Sequence, residues 1–356
     1  MRTRRHRSPK GPGPGFRRDD RIRGAIALIS TLALFACAAP YIQPPLIPPA
    51  GFAGPRIEVG AFVARDDARL PYRLWAPAED PWAVVVALHG MNDHSASFRL
   101  AGPWWAGRGI ATYAYDQRGF GAAPGPGLWA GEGVLTDDLR TVVALVRARH
   151  PRAVIAVVGE SMGGSVAIAA FGSDRPPDAD RLVLLAPGVW GWSSQPLANR
   201  ASLWLAARAM GDRSVEPPDW AVRDIRASDN TLELIRNSRD PRFLLATRFD
   251  TLSGLVDLME TATTRLGAVR APTALFYGAH DQIIEKRPMR RALERAGGRP
   301  DLRTAYYADG WHILNRDLQS ETVYRDVEAF LRDASAPLPS GAPPVQPALA
   351  ADPEPH

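Results

Sequence analysis

The chain has a single cysteine, Cys37, among 356 residues. One thiol excludes an internal disulfide, so the fold must be held together by its hydrophobic core. Internal repeats are absent, which removes solenoid architectures. A basic fold is absent too, although the formal net charge is +5. Nine Lys and Arg fall in residues 1–36 against Asp19 and Asp20, which leaves a net charge of −2 for residues 37–356. That balance gives no reason to expect nucleic acid as a partner. What is present, 46% hydrophobic and 23% charged residues, describes a globular protein long enough for one large domain with an insertion.

The basic N-terminus has a meaning of its own. Cationic residues through Arg23 precede the apolar run Gly24 to Ala36, and Cys37, Ala38 and Ala39 follow. A positive flank, a short apolar run and small residues at its end are the layout of a secretory signal. Leu34-Phe35-Ala36-Cys37 resembles the bacterial lipoprotein box, which implies a signal peptide over residues 1–36 and lipidation of Cys37. The expected location is the bacterial cell envelope, lipid-anchored at the outer membrane and facing the periplasm. Secretion after cleavage at Ala36-Cys37-Ala38, or anchoring by an uncleaved N-terminal helix, are the alternatives. Six prolines from Pro40 to Pro55 mark residues 37–55 as an extended linker. Residues 334–356, rich in Pro and Ala without apolar periodicity, read as a disordered tail. The folded unit is then residues 56–333.

Within that unit strand and helix patterns alternate. Ile57 to Ala64 and Leu70 to Trp75 read as two antiparallel edge strands joined by a turn at Arg65 to Ala68. Ala83 to Leu88, Gly109 to Tyr115, Ala153 to Val158, Arg181 to Ala186, Thr273 to Gly278 and Leu302 to Tyr307 are apolar runs of the kind buried in a parallel sheet. Helices are expected over Ser95 to Arg108 with a break at Gly102-Pro103, around Leu135 to Val146, after Ser161, from Pro288 to Gly297, and around Val323 to Leu331. This is the pattern of an α/β fold with a doubly wound, mostly parallel sheet. From Pro187 to Val269 no strand is legible, and the segment reads as several helix-like pieces. Trp190, Trp192, Leu203, Trp204, Leu205, Trp220, Leu232, Leu234, Leu255 and Leu258 make it rich in large apolar groups.

One stretch carries chemistry. AVIAVVGESMGG, residues 153–164, is an apolar strand, a Gly159-x-Ser161-x-Gly163 turn and a helix start. Strand, sharp turn and helix form the setting in which a serine hydroxyl is exposed as a nucleophile. Such a hydroxyl needs a base and a carboxylate to orient that base. In the doubly wound arrangement the acid and then the histidine follow the serine. After Ser161 the histidines are His280, His312 and His356. His280 precedes the best acid and His356 ends the tail, which leaves His312 with Asp281. Each, taken alone, reads as an ordinary loop residue; both sit just past expected parallel strands, whose C-terminal ends share one side of the sheet. Oxyanion donors are expected from the backbone N–H of Met162 and of Met91, in the His89-Gly90-Met91-Asn92 turn.

LHGMNDHS at 88–95, YDQRGFG at 115–121, VVGESMGG at 157–164, GAHDQII at 278–284 and GWHIL at 310–314 together resemble the α/β-hydrolase superfamily. The resemblance is strongest to its monoacylglycerol lipase and lysophospholipase branch, also called serine aminopeptidase S33-like. It implies the α/β-hydrolase fold, a catalytic set of Ser161, Asp281 and His312, oxyanion donors at Met91 and Met162, and a cap at about 187–269. It also implies hydrolysis of lipid-like carboxylic esters such as monoacylglycerol or lysophospholipid through an acyl-enzyme. No cofactor or metal is expected, because the nucleophile is a side chain. Two positions depart from the branch: Asn92-Asp93 stands where Gly-Glu is frequent, and Glu160 where lipases often have His. No acidic pocket for a substrate amine is legible. Amidase or aminopeptidase action by the same residues, and a non-catalytic envelope lipoprotein, are the alternative functions.

Overall fold

A computed structural model describes residues 39–217 and 223–352. The expected leader, Cys37, Trp220 and His356 lie outside those residues. The apolar runs form a nine-stranded sheet in the order β1-β2-β3-β5-β4-β6-β7-β10-β11. Its members are β1 (Arg56–Glu58), β2 (Ala61–Val63), β3 (Arg69–Trp75), β4 (Ala83–Leu88), β5 (Ile110–Tyr115), β6 (Val154–Glu160), β7 (Arg181–Leu185), β10 (Thr273–Gly278) and β11 (Leu302–Tyr307). From β5 to β11 neighbouring strands are parallel, while β1, β2 and β3 pair antiparallel.

Side-chain alternation along each strand assigns the two faces of this sheet. Val84, Val86 and Leu88 face one apolar cluster, which includes helices α2 (Glu132–Arg149), α3 (Met162–Phe171), α6 (Phe249–Arg265) and α7 (Lys286–Ala296). Ala83, Val85 and Ala87 face the other, which includes α1 (Ala101–Ala106) and α8 (Ser320–Arg332). Both faces are therefore covered, and continuous apolar strands are the consequence. All parallel strands deliver their C-terminal ends to one edge, where Ser161, Asp281 and His312 follow β6, β10 and β11.

Several expectations require correction. The single strand Ile57 to Ala64 is a hairpin, because Gly60 takes φ +76 and turns β1 back on β2. The segment Ser95 to Arg108 is a 3-10 turn over Ser95–Phe98 followed by α1, so the break precedes Gly102-Pro103 and Pro103 sits in the first helical turn. The cap is shorter than expected. It holds α4 (Leu197–Ala209), α5 (Thr231–Arg239) and a small antiparallel pair, β8 (Ser214–Val215) with β9 (Thr247–Arg248). α6 belongs to the body, since its Leu258 and Ala262 are fully buried in the core beside α3. Nor is the C-terminal stretch disordered as far as Asp352. Its α9 (Val345–Ala351) buries Val345 and Leu349 completely, Tyr306 N–H donates to Pro343 O at 2.8 Å, and Asp352 bonds Lys286 and Tyr306. Two apolar residues four apart on a short helix were too little periodicity to reveal it. From Pro40 to Pro55 the proline-rich segment forms no helix or strand, and it is fastened to the body: Gln43 N–H donates to Trp129 O at 2.7 Å and Leu46 N–H to Asp66 Oδ2 at 2.8 Å.

Candidate active site

Ser161 sits between β6 and α3 with φ 51 and ψ −116, a backbone conformation that costs a non-glycine residue of order 1–3 kcal/mol. The turn is held from outside: Ser161 N–H donates to Leu185 O at 3.0 Å, and Ser161 O accepts from Gly188 N–H at 2.9 Å. Its glycines are required by close approach. A Cβ on Gly159 would lie 2.6 Å from Gly163 O, and one on Gly163 would lie 2.5 Å from Leu88 O. Helix α3 can therefore start directly against the strands, and its first N–H, that of Met162, is one a helix leaves without an internal partner.

The turn after β4 passes against the serine, since a Cβ on Gly90 would be 3.3 Å from Ser161 Cβ. His89 is fully buried. Its Nε2 accepts from Gln117 N–H at 3.0 Å, so its Nδ1–H donates to Gly90 O at 2.8 Å. Burial lowers its pKa and keeps it neutral. His89 is thus a satisfied structural histidine, yet it acts on the site. The Gly90 carbonyl and the Met91 N–H belong to one trans peptide and point opposite ways. Holding the carbonyl on His89 turns the Met91 N–H away from the imidazole, and Met91, Gly90 and Ser161 all border one cavity. Among the described residues, no acceptor bonds the Met91 or Met162 amide.

Asp281, in the loop after β10, accepts at Oδ1 from the N–H groups of Ile283 and Ile284, both at 2.9 Å. Its Oδ2 receives His312 Nδ1–H at 2.9 Å, and the carboxylate is completely buried. With Nδ1 committed, Nε2 is the nitrogen left for Ser161 or a substrate. Burial works against the His312 imidazolium, but the charge and hydrogen bond of Asp281 outweigh it and raise the pKa. His280, by contrast, stacks on Trp311 at 5.2 Å and takes no part in this pair.

Sequence reasoning missed the group beneath the site. Arg316, four residues past His312 and 1% exposed, donates through Nη2 to Asp93 Oδ2 at 2.8 Å and to Glu160 Oε1 at 2.9 Å. One cation therefore joins the Met91 turn, the Ser161 turn and the His312 loop. Burial opposes the Asp93 charge, but Arg316 holds its pKa below the usual value; burial prevails at Glu160 and raises it. Glu160 Oε2 has no hydrogen-bond partner. The only hint in the sequence was that Asp93 and Glu160 depart from the family pattern. Both carboxylates border the pocket, and both are engaged by Arg316.

The cavity over Ser161 and His312 has a volume of about 280 Å³. Leu234, Phe243 and Leu245 from the cap and Ile283 and Ile313 from the body give it apolar walls. Of the large apolar cap residues singled out from the sequence, Leu234 lines it. Trp204, Leu205 and Leu232 are instead exposed, and Trp190 and Trp192 pack against the core. Among the described residues no cluster of His, Cys, Asp and Glu is arranged to hold a metal ion, and no helix is long and apolar enough to cross a membrane.

Comparison with known proteins agrees with this architecture. The monoacylglycerol lipase of Mycolicibacterium smegmatis is 25% identical over 284 residues, which cover 76% of this chain and 95% of that protein. Human monoglyceride lipase is 24% identical over 294 residues, 80% of this chain and 93% of its own. The crystal structure of a soluble variant of Saccharomyces cerevisiae monoglyceride lipase, in complex with a substrate analogue, shares the fold with a TM-score of 0.64 at 16% identity, covering 83% of this chain and all of that one. The sequence profile of Hydrolase_4, described as serine aminopeptidase, S33, matches residues 79–319. With a doubly wound sheet, a helical cap and two thirds of its length inside that match, the chain belongs to the serine aminopeptidase S33 family of α/β-hydrolases.

Proposed function

We propose that this protein is a serine hydrolase that cleaves carboxylic esters of lipid-like substrates. The observation that carries the reading is the buried Asp281–His312 pair, with His312 bordering one cavity with Ser161 on its strained turn. Ser161 Oγ attacks the ester carbonyl while His312 Nε2 takes its proton, and Asp281 stabilises the imidazolium. The Met91 and Met162 N–H groups hold the oxyanion. His312 then protonates the departing alcohol, leaving an acyl-enzyme that water hydrolyses by the same route. The apolar walls suit an acyl chain, whose burial contributes roughly 0.8 kcal/mol per methylene. Monoacylglycerol is the first substrate to test, in line with the names of the relatives, and lysophospholipid the second.

A fluorophosphonate probe is expected to label the wild type and not Ser161→Ala. Equal labelling of both would refute the assignment. Turnover of monoacylglycerol, lysophospholipid and aminoacyl amides by the same preparation separates esterase from aminopeptidase, and no turnover at all would favour a non-catalytic envelope protein. The paired state of Asp93 and Glu160 supports the ester reading, since neither is a free counter-ion for a substrate amine. Membrane attachment through a lipidated Cys37 is proposed on the leader sequence: a clickable fatty acid is expected to label the wild type in cells and not Cys37→Ser.

A further inference from the structure

Asn92, the residue after Met91, has φ +64. Only glycine enters this left-handed region freely, with Asn and Asp the next best tolerated. The departure from the Gly that is frequent here is thereby accommodated. What holds Asn92 in place is not the sheet. Its carbonyl accepts the N–H of Leu244 at 2.9 Å, and its Nδ2 donates to Thr247 Oγ1 at 2.7 Å. Leu244 and Thr247 belong to the cap, where Thr247 is fixed by pairing with Val215 in the small β8–β9 sheet. Two further bonds to the cap come from the residues at either end of the following 3-10 turn: His94 Nε2 meets Asp240 Oδ2 at 3.0 Å, and Arg99 pairs with Glu233. The Met91 turn is thus gripped from two directions. His89 and Arg316 hold it on the body side, and Leu244 and Thr247 on the cap side.

We propose that Asn92 and Thr247 are positioning residues for the Met91 N–H, so that the cap completes the oxyanion hole as well as walling the cavity. The proposal rests on the reading of Met91 as an oxyanion donor. Its consequence concerns substrates that make no use of an apolar wall. A short, soluble ester still needs the cap, because the donor that meets its oxyanion is held through Asn92.

The test uses the full chain and p-nitrophenyl acetate. Thr247→Val keeps the side-chain shape and removes the acceptor for Asn92 Nδ2. Loss of a whole oxyanion donor costs about 10²–10³ in kcat, so misplacing one is expected to lower kcat about tenfold with KM little changed. Thr247→Ser, which restores the hydroxyl, is expected to regain most of that loss. Asn92→Gly provides a second route should Thr247→Val fail to fold: it keeps the left-handed backbone, loses the Nδ2 bond, and is expected to lose kcat to a similar extent. The double variant is expected to be no worse than either single one, because both remove the same bond. Wild-type kcat in Thr247→Val and Asn92→Gly, a change in KM alone, or equal losses in Thr247→Ser and Thr247→Val would each overturn the inference while Ser161→Ala is inactive. Ester turnover that survives in Ser161→Ala would instead overturn the underlying reading of the site.

Discussion

His312 is pulled two ways, and the direction of the outcome sets a pH dependence. Burial disfavours its imidazolium, Asp281 favours it, and the pKa ends above the ordinary 6.5. A base must be neutral to accept the serine proton, so kcat/KM is expected to climb with pH through a midpoint above 6.5. Replacing Asp281 by Asn removes the charge that raises the pKa. The midpoint is expected to move down and kcat to fall roughly 10⁴-fold, as befits a histidine left in the wrong tautomer. A midpoint unmoved in Asp281→Asn, read from a pH–rate profile, would contradict this account. The proposed catalytic set Ser161, Asp281 and His312 was legible in the sequence because their order and their places after apolar strands are local features. Arg316 was not, since its role exists only once it meets Asp93 and Glu160, from two loops far from it in the chain. The role of His89 was hidden for a different reason: it works through a carbonyl, and backbone orientation leaves no signature in residue type.

Elements were legible where their apolar period was long. α2 and α8 showed one face each over several turns, and both stand as expected. The cap boundary was misread because α6 continues the run of Leu-rich helices, and the two-residue β9 before it is too short to leave a pattern that separates body from insertion. α9 escaped notice since its whole buried face is Val345 and Leu349. Those two side chains give the C-terminal segment its contribution to stability. Burying each fully is worth about 1.5–3 kcal/mol, so removing residues 334–356 is expected to destabilise the fold by about 3 kcal/mol or more. A thermal melt of the truncated chain, compared with the intact one, checks this. An unchanged melting temperature would mean that the segment only rests on the body. The point variant Leu349→Ala is expected to cost about 2–5 kcal/mol by the same measurement, since it leaves a cavity where a leucine was buried.

For the molecule as a whole, the scarcity of cysteine has a measurable side. The only thiol is Cys37, so no disulfide within the chain supports the folded unit. The melting temperature of the full chain is expected to be the same with and without reductant, and a drop on reduction would reveal a stabilising bond that the sequence does not allow. The doubly wound plan was readable because a sheet covered on both faces needs unbroken apolar strands, and six such runs stand out. The antiparallel margin was less so, because a three-residue strand carries almost no pattern. That margin and the opposite one close the sheet differently. At one side β1 is only three residues long. At the other, β11 has a full-length free side, and the chain lays Pro343 and Val345 along it, meeting Tyr306 N–H and Thr304 Oγ1. An unprotected strand of that length is a template on which a second copy can add its own. A chain clipped after Ala334 is therefore expected to join its neighbours edge to edge, read as growth in particle size by light scattering, whereas the intact chain stays unchanged.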